Sequence, residues 1–156
     1  MRADLATYIR SALPAGPDHV SVRVEDRRIR YLSVRNDVVE PPSASRDTGL
    51  MVTVHEAGGL GYAATPDLTS AGIRQAVERA RRWARASARV AAFDTRSVAM
   101  PGPTGRWSSP VTRPYEDVPL ADRIDRLREA CATANVGERV VERIASVRSE
   151  LVETTY

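Results

Sequence analysis

Lysine is absent: all 23 basic residues are arginine. The skew reads as coding bias rather than chemistry, because both cations serve on solvated surfaces. Cysteine occurs once, at Cys131, which excludes an internal disulfide framework and any multi-cysteine zinc site. A lone cysteine fits a reduced, cytoplasmic setting. Histidine occurs only as His19 and His55. No apolar run approaches the ~20 residues of a membrane helix, so no membrane partner is expected. The start, Met1-Arg2-Ala3-Asp4-Leu5-Ala6, carries an acid early and lacks a continuous apolar stretch, so no signal peptide is expected.

What is present is an ordinary globular mix. The 156 residues suit one domain, with 42% hydrophobic and 28% charged side chains. Net charge is +3, with 20 acids interspersed among the arginines. A phosphate-binding surface clusters its bases on one face. Charge alone therefore does not point to nucleic acid, which is not an expected partner.

Leu5, Ala6, Ile9 and Leu13 recur at helical spacing until Pro14-Ala15-Gly16-Pro17 stops the helix. From His19 the period becomes two: Val20, Val22 and Val24 alternate with Ser21, Arg23 and Glu25, a half-buried strand. Asp26-Arg27-Arg28 reads as a turn, Ile29 to Arg35 as a second strand, and Asn36-Asp37 as the next turn. Pro41-Pro42 confines a third strand from Val38 to an edge. Gly49 opens the clearest hairpin: Leu50, Val52 and Val54 face one way, Met51, Thr53 and His55 the other. Ala57-Gly58-Gly59 supplies its turn, and Leu60 to Thr65 returns. Asp67 or Thr69 N-caps a helix to about Ala91, with Ile73, Ala76, Val77, Ala80, Ala84 and Ala88 as its apolar stripe. Over residues 94–119, Pro101, Pro103, Pro110, Pro114 and Pro119 with Gly102 and Gly105 preclude a helix. Trp107 and Tyr115 there predict an extended arm that packs on something. A further helix presents Leu120, Ile124, Leu127, Ala130 and Ala134, with Cys131 as a packed thiol near the stripe. Val140, Ile144, Val147 and Leu151 fit either a helix or a strand. The expected fold class is α+β, an antiparallel β-meander packed against amphipathic helices.

No complete catalytic constellation emerges. His55-Glu56 begins like a zinc-binding H-E-x-x-H helix, but Gly59 stands where the second histidine belongs, and the pair runs into a glycine turn. His55 reads as a solvent-facing residue at a strand end, with His19 on a different strand. Gly58-Gly59-Leu60-Gly61 is followed by a strand rather than a helix N-terminus, so it reads as a hairpin turn and not a phosphate cradle. Glu25 with Asp26 and Glu116 with Asp117 point to opposite faces if extended. Ser108-Ser109 and Thr154-Thr155 lack a partnered base. No catalytic, cofactor-binding or metal-ligating residue is assigned; Gly49, Gly58, Gly59 and Gly61 are assigned to the structural turn.

The stretch Gly49-Leu50-Met51-Val52-Thr53-Val54-His55-Glu56-Ala57-Gly58-Gly59-Leu60-Gly61-Tyr62-Ala63-Ala64-Thr65-Pro66-Asp67-Leu68-Thr69 resembles the N-terminal domain of the TldD/PmbA family. That family shows a glycine-led strand, a tight glycine turn, a Gly-aromatic-Ala-x-Thr strand and then Asp-Leu-Thr before a helix. Ile73 to Ala80 and the alanine-rich Ala84 to Ala88 are similar to that helix. Val22 to Glu25 with Ser33 to Asp37 is similar to the first hairpin, and Trp107 to Val111 with Val118-Pro119-Leu120 to the arm and second helix.

The resemblance implies the N-terminal, non-catalytic part of a zinc metallopeptidase that processes or degrades unfolded peptides, a family also described as modulators of DNA gyrase. Its zinc ligands lie in a C-terminal half with an H-E-x-x-x-H helix, which is missing here, so zinc is expected outside this chain. Residues 1–156 are then one N-terminal domain, either cut from a longer protein or naturally short, with a role in cleft architecture and subunit assembly. The implied partners are the missing catalytic half, a paralogous or identical subunit and a peptide substrate, which an open strand edge could capture. The alternative is a nonenzymatic binding module that offers an arginine-rich helix face to an acidic protein or nucleic acid.

Overall fold

Alternation at Leu50, Val52 and Val54 places all three in the core and leaves Met51, Thr53 and His55 half-buried on the opposite face. The structure, a computed structural model, describes residues 2–100, 102 and 105–156, and side chains from Thr7 onward. Leu5 and Ala6 of the expected first stripe lie outside the described side chains, and Pro101 and Pro103 outside the described residues. The elements are α1 (Arg2–Ala12), β1 (His19–Arg35), β2 (Val38–Val39), β3 (Ser43–Glu56), β4 (Gly59–Thr65), α2 (Ser70–Ser87), α3 (Leu120–Thr133) and β5 (Ile144–Thr155). Two 3-10 turns, Thr95–Ser97 and Tyr115–Asp117, punctuate the proline-rich stretch. The class is α+β. The strand order is β2-β1-β3-β4, and β5 also pairs with β1, so the five-stranded sheet centres on β1 and departs from a strictly sequential meander.

Contacts divide the chain into two compact units: Met1–Asp26, Thr48–Pro103 and Glu153–Tyr156 form one, and Arg27–Asp47 with Thr104–Val152 form the other. In the first unit, β3 and β4 pair antiparallel with Val52 opposite Ala63, Val54 opposite Gly61 and Glu56 opposite Gly59. Ala57 (φ 56°) and Gly58 (φ 81°) alone make the turn, the left-handed pair that a two-residue hairpin demands. Of the four glycines expected there, only Gly58 turns; Gly49 lies in β3, and Gly59 and Gly61 lie in β4. Thr69 N-caps α2 by accepting from the Gly72 N–H, and Ile73, Ala76, Val77, Ala80 and Ala84 are wholly buried. A Cβ at Gly59 would overlap the Ala84 carbonyl, and one at Gly61 the Ala80 carbonyl. Glycine facing alanine thus lets α2 lie on β4 almost backbone to backbone. The helix ends at Ser87 rather than near Ala91, and Ala88 is its half-buried C-cap. Ile9 and Ala12 of α1 and Val24 of β1 complete this core.

The second unit corrects several expectations. Asp26-Arg27-Arg28 makes no turn, and β1 runs unbroken for 17 residues. Its charged side chains find opposite charges, as Arg27 does at 3.2 Å from Glu150 and Arg30 does at Glu116. Such pairing leaves a polar triplet free to stay extended. Asn36 (φ 46°) and Asp37 (φ 69°) form the expected turn into β2, and β3 starts at Ser43, six residues ahead of Gly49. Along α3, Cys131 is buried and Ile124 and Leu127 are half-buried, but Leu120, Ala130 and Ala134 are exposed. The ambiguous tail is the strand β5. Trp107 is 81% exposed and does not pack as the arm predicted. Tyr115 does, with the Arg123 guanidinium 4.1 Å above its ring. No helix among the described residues is long and apolar enough to cross a membrane.

Candidate functional site

Adjacent residues in a strand point to opposite faces, and at the end of β3 this separates His55 from Glu56. Glu56 turns toward α2. Arg81 Nε donates to Oε2 at 2.8 Å and Arg81 Nη2 to Oε1 at 2.9 Å, while Arg85 Nη2 reaches Oε1 at 2.6 Å. Only 13% of the Glu56 side chain and 16% of Arg81 meet solvent. The hydrogen bonds from Arg81, reinforced by those from Arg85, outweigh burial and hold the Glu56 carboxyl down at about 2. This carboxylate is committed to two cations and is not poised as a general base for His55. Only the lie of α2 across the hairpin brings Arg81 and Arg85 onto this carboxylate.

On the other face, His55 meets His19. The two rings sit edge to face, with centroids 5.6 Å apart and planes at 81°. The expected solvent-facing His55, on a strand apart from His19, is therefore corrected. The correction has a simple source: β1 and β3 are neighbours in the sheet, so residues 36 positions apart come together. Asp18, Thr95, Arg96, Val98 and Met100 complete a recess of about 300 Å³ around the pair. Nothing in the local sequence marked Asp18, Thr95 or Arg96 as its neighbours. His55 Nδ1 is buried and bonded to no protein group. Burial, then the neighbouring His19, pulls the His55 pKa below its ordinary value, against the opposing pull of Asp18.

Zinc at a catalytic site takes three protein ligands and keeps a position open for water. The histidine pair supplies two imidazoles, Glu56 is occupied by arginines, and Cys131 bonds the Arg143 carbonyl in the other unit. Among the described residues, no three His, Cys, Asp or Glu side chains converge on one point. The donor set here does not fit a catalytic zinc.

The outer edge of β4 is partly closed by its own helix. Ser87 Oγ donates to the Leu60 carbonyl at 2.7 Å and accepts from the Leu60 N–H at 3.0 Å. Arg79 Nη2 donates to the Ala64 carbonyl at 3.0 Å. Tyr62 and Trp83, both about two-thirds exposed, flank a shallow recess beside them.

Residues 20–84 match the family model for PmbA/TldA metallopeptidase domain 1. No curated protein matches the chain. A solved structure of a proposed modulator of DNA gyrase from Bacteroides thetaiotaomicron superposes with a TM-score of 0.64 at 17% identity, over 97% of this chain and 38% of that one. TldE from Thermococcus kodakarensis gives 0.60 at 17% identity, over 99% of this chain and 34% of that one. A proposed modulator of DNA gyrase from Thermotoga maritima gives 0.54 at 16% identity, over 99% and 34%. At such identities the likeness is one of fold, and this chain spans little more than a third of each structure. Residues 20–84, which hold nearly all of β1, the whole of β2 to β4 and most of α2, are thus the part of this chain similar to the first domain of that family.

Proposed function

We infer that this chain is the non-catalytic N-terminal domain of a TldD/PmbA-like zinc metallopeptidase that processes or degrades unfolded peptides. It walls the substrate cleft and takes part in assembly with a catalytic half and with a paralogous or identical subunit. The match of residues 20–84 to the first domain of that metallopeptidase family carries the reading. The donor set supports it, since this chain offers two imidazoles where a catalytic zinc needs three ligands. Peptide capture by strand addition at β4 is less favoured than cleft walling, because Ser87 and Arg79 already occupy edge groups at Leu60 and Ala64. A buried Cys131 suits the proposed reduced, cytoplasmic setting.

The test is metal analysis of the purified chain after dialysis, together with a peptide-hydrolysis assay. The expected result is neither stoichiometric zinc nor cleavage. One tightly held zinc per chain, with cleavage abolished by a chelator, overturns it.

A second reading is a binding module for an acidic protein or nucleic acid, resting on exposed Arg74 and Arg82 along α2 and Arg89 just past its end. Phosphate binding would weaken steeply with added salt, whereas cleft walling would not.

A further inference from the structure

The recess around His19 and His55 is lined on one side by a short segment that carries Thr95, Arg96, Val98 and Met100. Its 3-10 turn, Thr95–Ser97, is fastened to the β3–β4 hairpin by two hydrogen bonds. The Thr95 N–H donates to the Gly58 carbonyl at 3.0 Å, and Thr95 Oγ1 donates to the Gly59 carbonyl at 3.3 Å. Asp94 holds the turn's own shape by accepting from the Arg96 N–H at 2.8 Å. Val98 and Met100 add apolar contact, but Val98 is nearly half exposed.

We propose that residues 94–100 form a proton-sensitive strap, closed over the His19–His55 pair while the His55 imidazole is neutral and released when it charges. Geometry drives the release. A neutral imidazole keeps one ring nitrogen as an acceptor, which can go unpaired at modest cost. An imidazolium has two donors, and the buried Nδ1 of His55 meets no protein acceptor. The neighbouring His19 ring, 5.6 Å away, also opposes a charge on His55. Both penalties vanish if the strap lifts and water reaches the rings.

The surrounding charges set the balance. Asp18 faces the pair and favours protonation of His55, while Arg96 lines the recess from the strap and interacts with Asp94 and Asp18. Asp94 is engaged by the Arg96 guanidinium, with Nη2 2.5 Å from Oδ2. Glu56 turns to the far face with Arg81 and Arg85, and the β4 residue opposite His55 is the uncharged Leu60. Burial dominates, so His55 charges only below its ordinary range. A group with a lowered pKa contributes full stability above its unfolded value of about 6.5 and loses that contribution as the pH falls below it. The strap is therefore closed at neutral pH and loosens in mild acid.

Amide hydrogen exchange on the whole chain, corrected for the intrinsic pH dependence, reads the strap at the Thr95 N–H. Protection there should fall about tenfold between pH 7.5 and pH 5, while the Ile73 N–H of α2 keeps its protection. His55→Gln should flatten the profile. His19→Gln, which removes the opposing neighbour, should move the midpoint to higher pH and serves where His55→Gln folds poorly. Constant Thr95 protection in the wild type, an unshifted profile in both variants, or joint loss of Thr95 and Ile73 protection would overturn the proposal.

Discussion

At the scale of single residues, Glu56 shows how a local pattern misleads when its partners are remote. Next to His55 it invites a catalytic reading, yet its carboxylate is gripped by Arg81 and Arg85, 25 and 29 residues away. Glu56→Gln keeps the shape and removes the charge, leaving Arg81 only one-sixth exposed beside a neutral amide. The expected cost is about 2 kcal/mol, in the range for hydrogen bonds to charged groups. Urea unfolding at pH 7 checks it, with the midpoint lowered and the slope unchanged. The pH dependence follows from the direction of the shift. An unfolded glutamate titrates near 4.5, and the folded one near 2. The contribution is whole above about pH 4.5 and fades as the pH falls toward 2. Glu56→Gln should therefore lose stability less steeply than the wild type over that window.

Among the elements, the hairpin and α2 were the most legible in the sequence, because alternation, a positive-φ turn and an alanine stripe all act locally. Val52, Val54, Ala76 and Ala80 reach the core where the pattern put them. The unbroken β1 was hidden, since an Asp-Arg-Arg triplet signals a turn unless distant acids such as Glu150 neutralise it. The histidine recess was hidden for a related reason: it depends on which strands neighbour each other, and side-chain period says nothing about that. Gly59 and Gly61 were legible as special but were assigned to the turn, when their work is to admit α2. Gly61→Ala forces a methyl group against the Ala80 carbonyl and Ala84 nitrogen. It should cost about 3 kcal/mol, the upper part of the overpacking range. Gly105→Ala meets open space and should change stability by less than about 0.5 kcal/mol. Thermal melts of the two variants side by side decide the matter; equal melting temperatures would mean that α2 can withdraw from β4 at little cost.

For the whole molecule, burial is unevenly shared between the two units. The contiguous core of eleven buried residues, from Ile9 to Ala84, lies wholly in the first. In the second, the buried apolar side chains among the described residues are Leu32, Val34 and Cys131. Its last strand leaves Ile144, Leu151 and Val152 at 40–50% exposure. Each fully buried aliphatic side chain contributes roughly 1.5–3 kcal/mol, so the second unit has far less holding its backbone hydrogen bonds closed. Cooperative units with sparse apolar contact open before the global transition. Native-state hydrogen exchange should therefore find α3 and β5 amides opening at lower free energy than those of α2 and the Leu50–Val54 stretch, by at least the ~1.4 kcal/mol that separates rates tenfold. β1 and β3 supply residues to both units, and each should show a step in protection along its own length, near Asp26 in β1 and near Asp47 in β3. Strand-long uniformity in β1, with α3 as protected as α2, would mean that the sheet binds the chain into one cooperative body despite the lopsided core. A step at those positions would assign the easier opening to Arg27–Asp47 and Thr104–Val152, with the β3–β4–α2 scaffold held as the rigid part that carries the histidine recess.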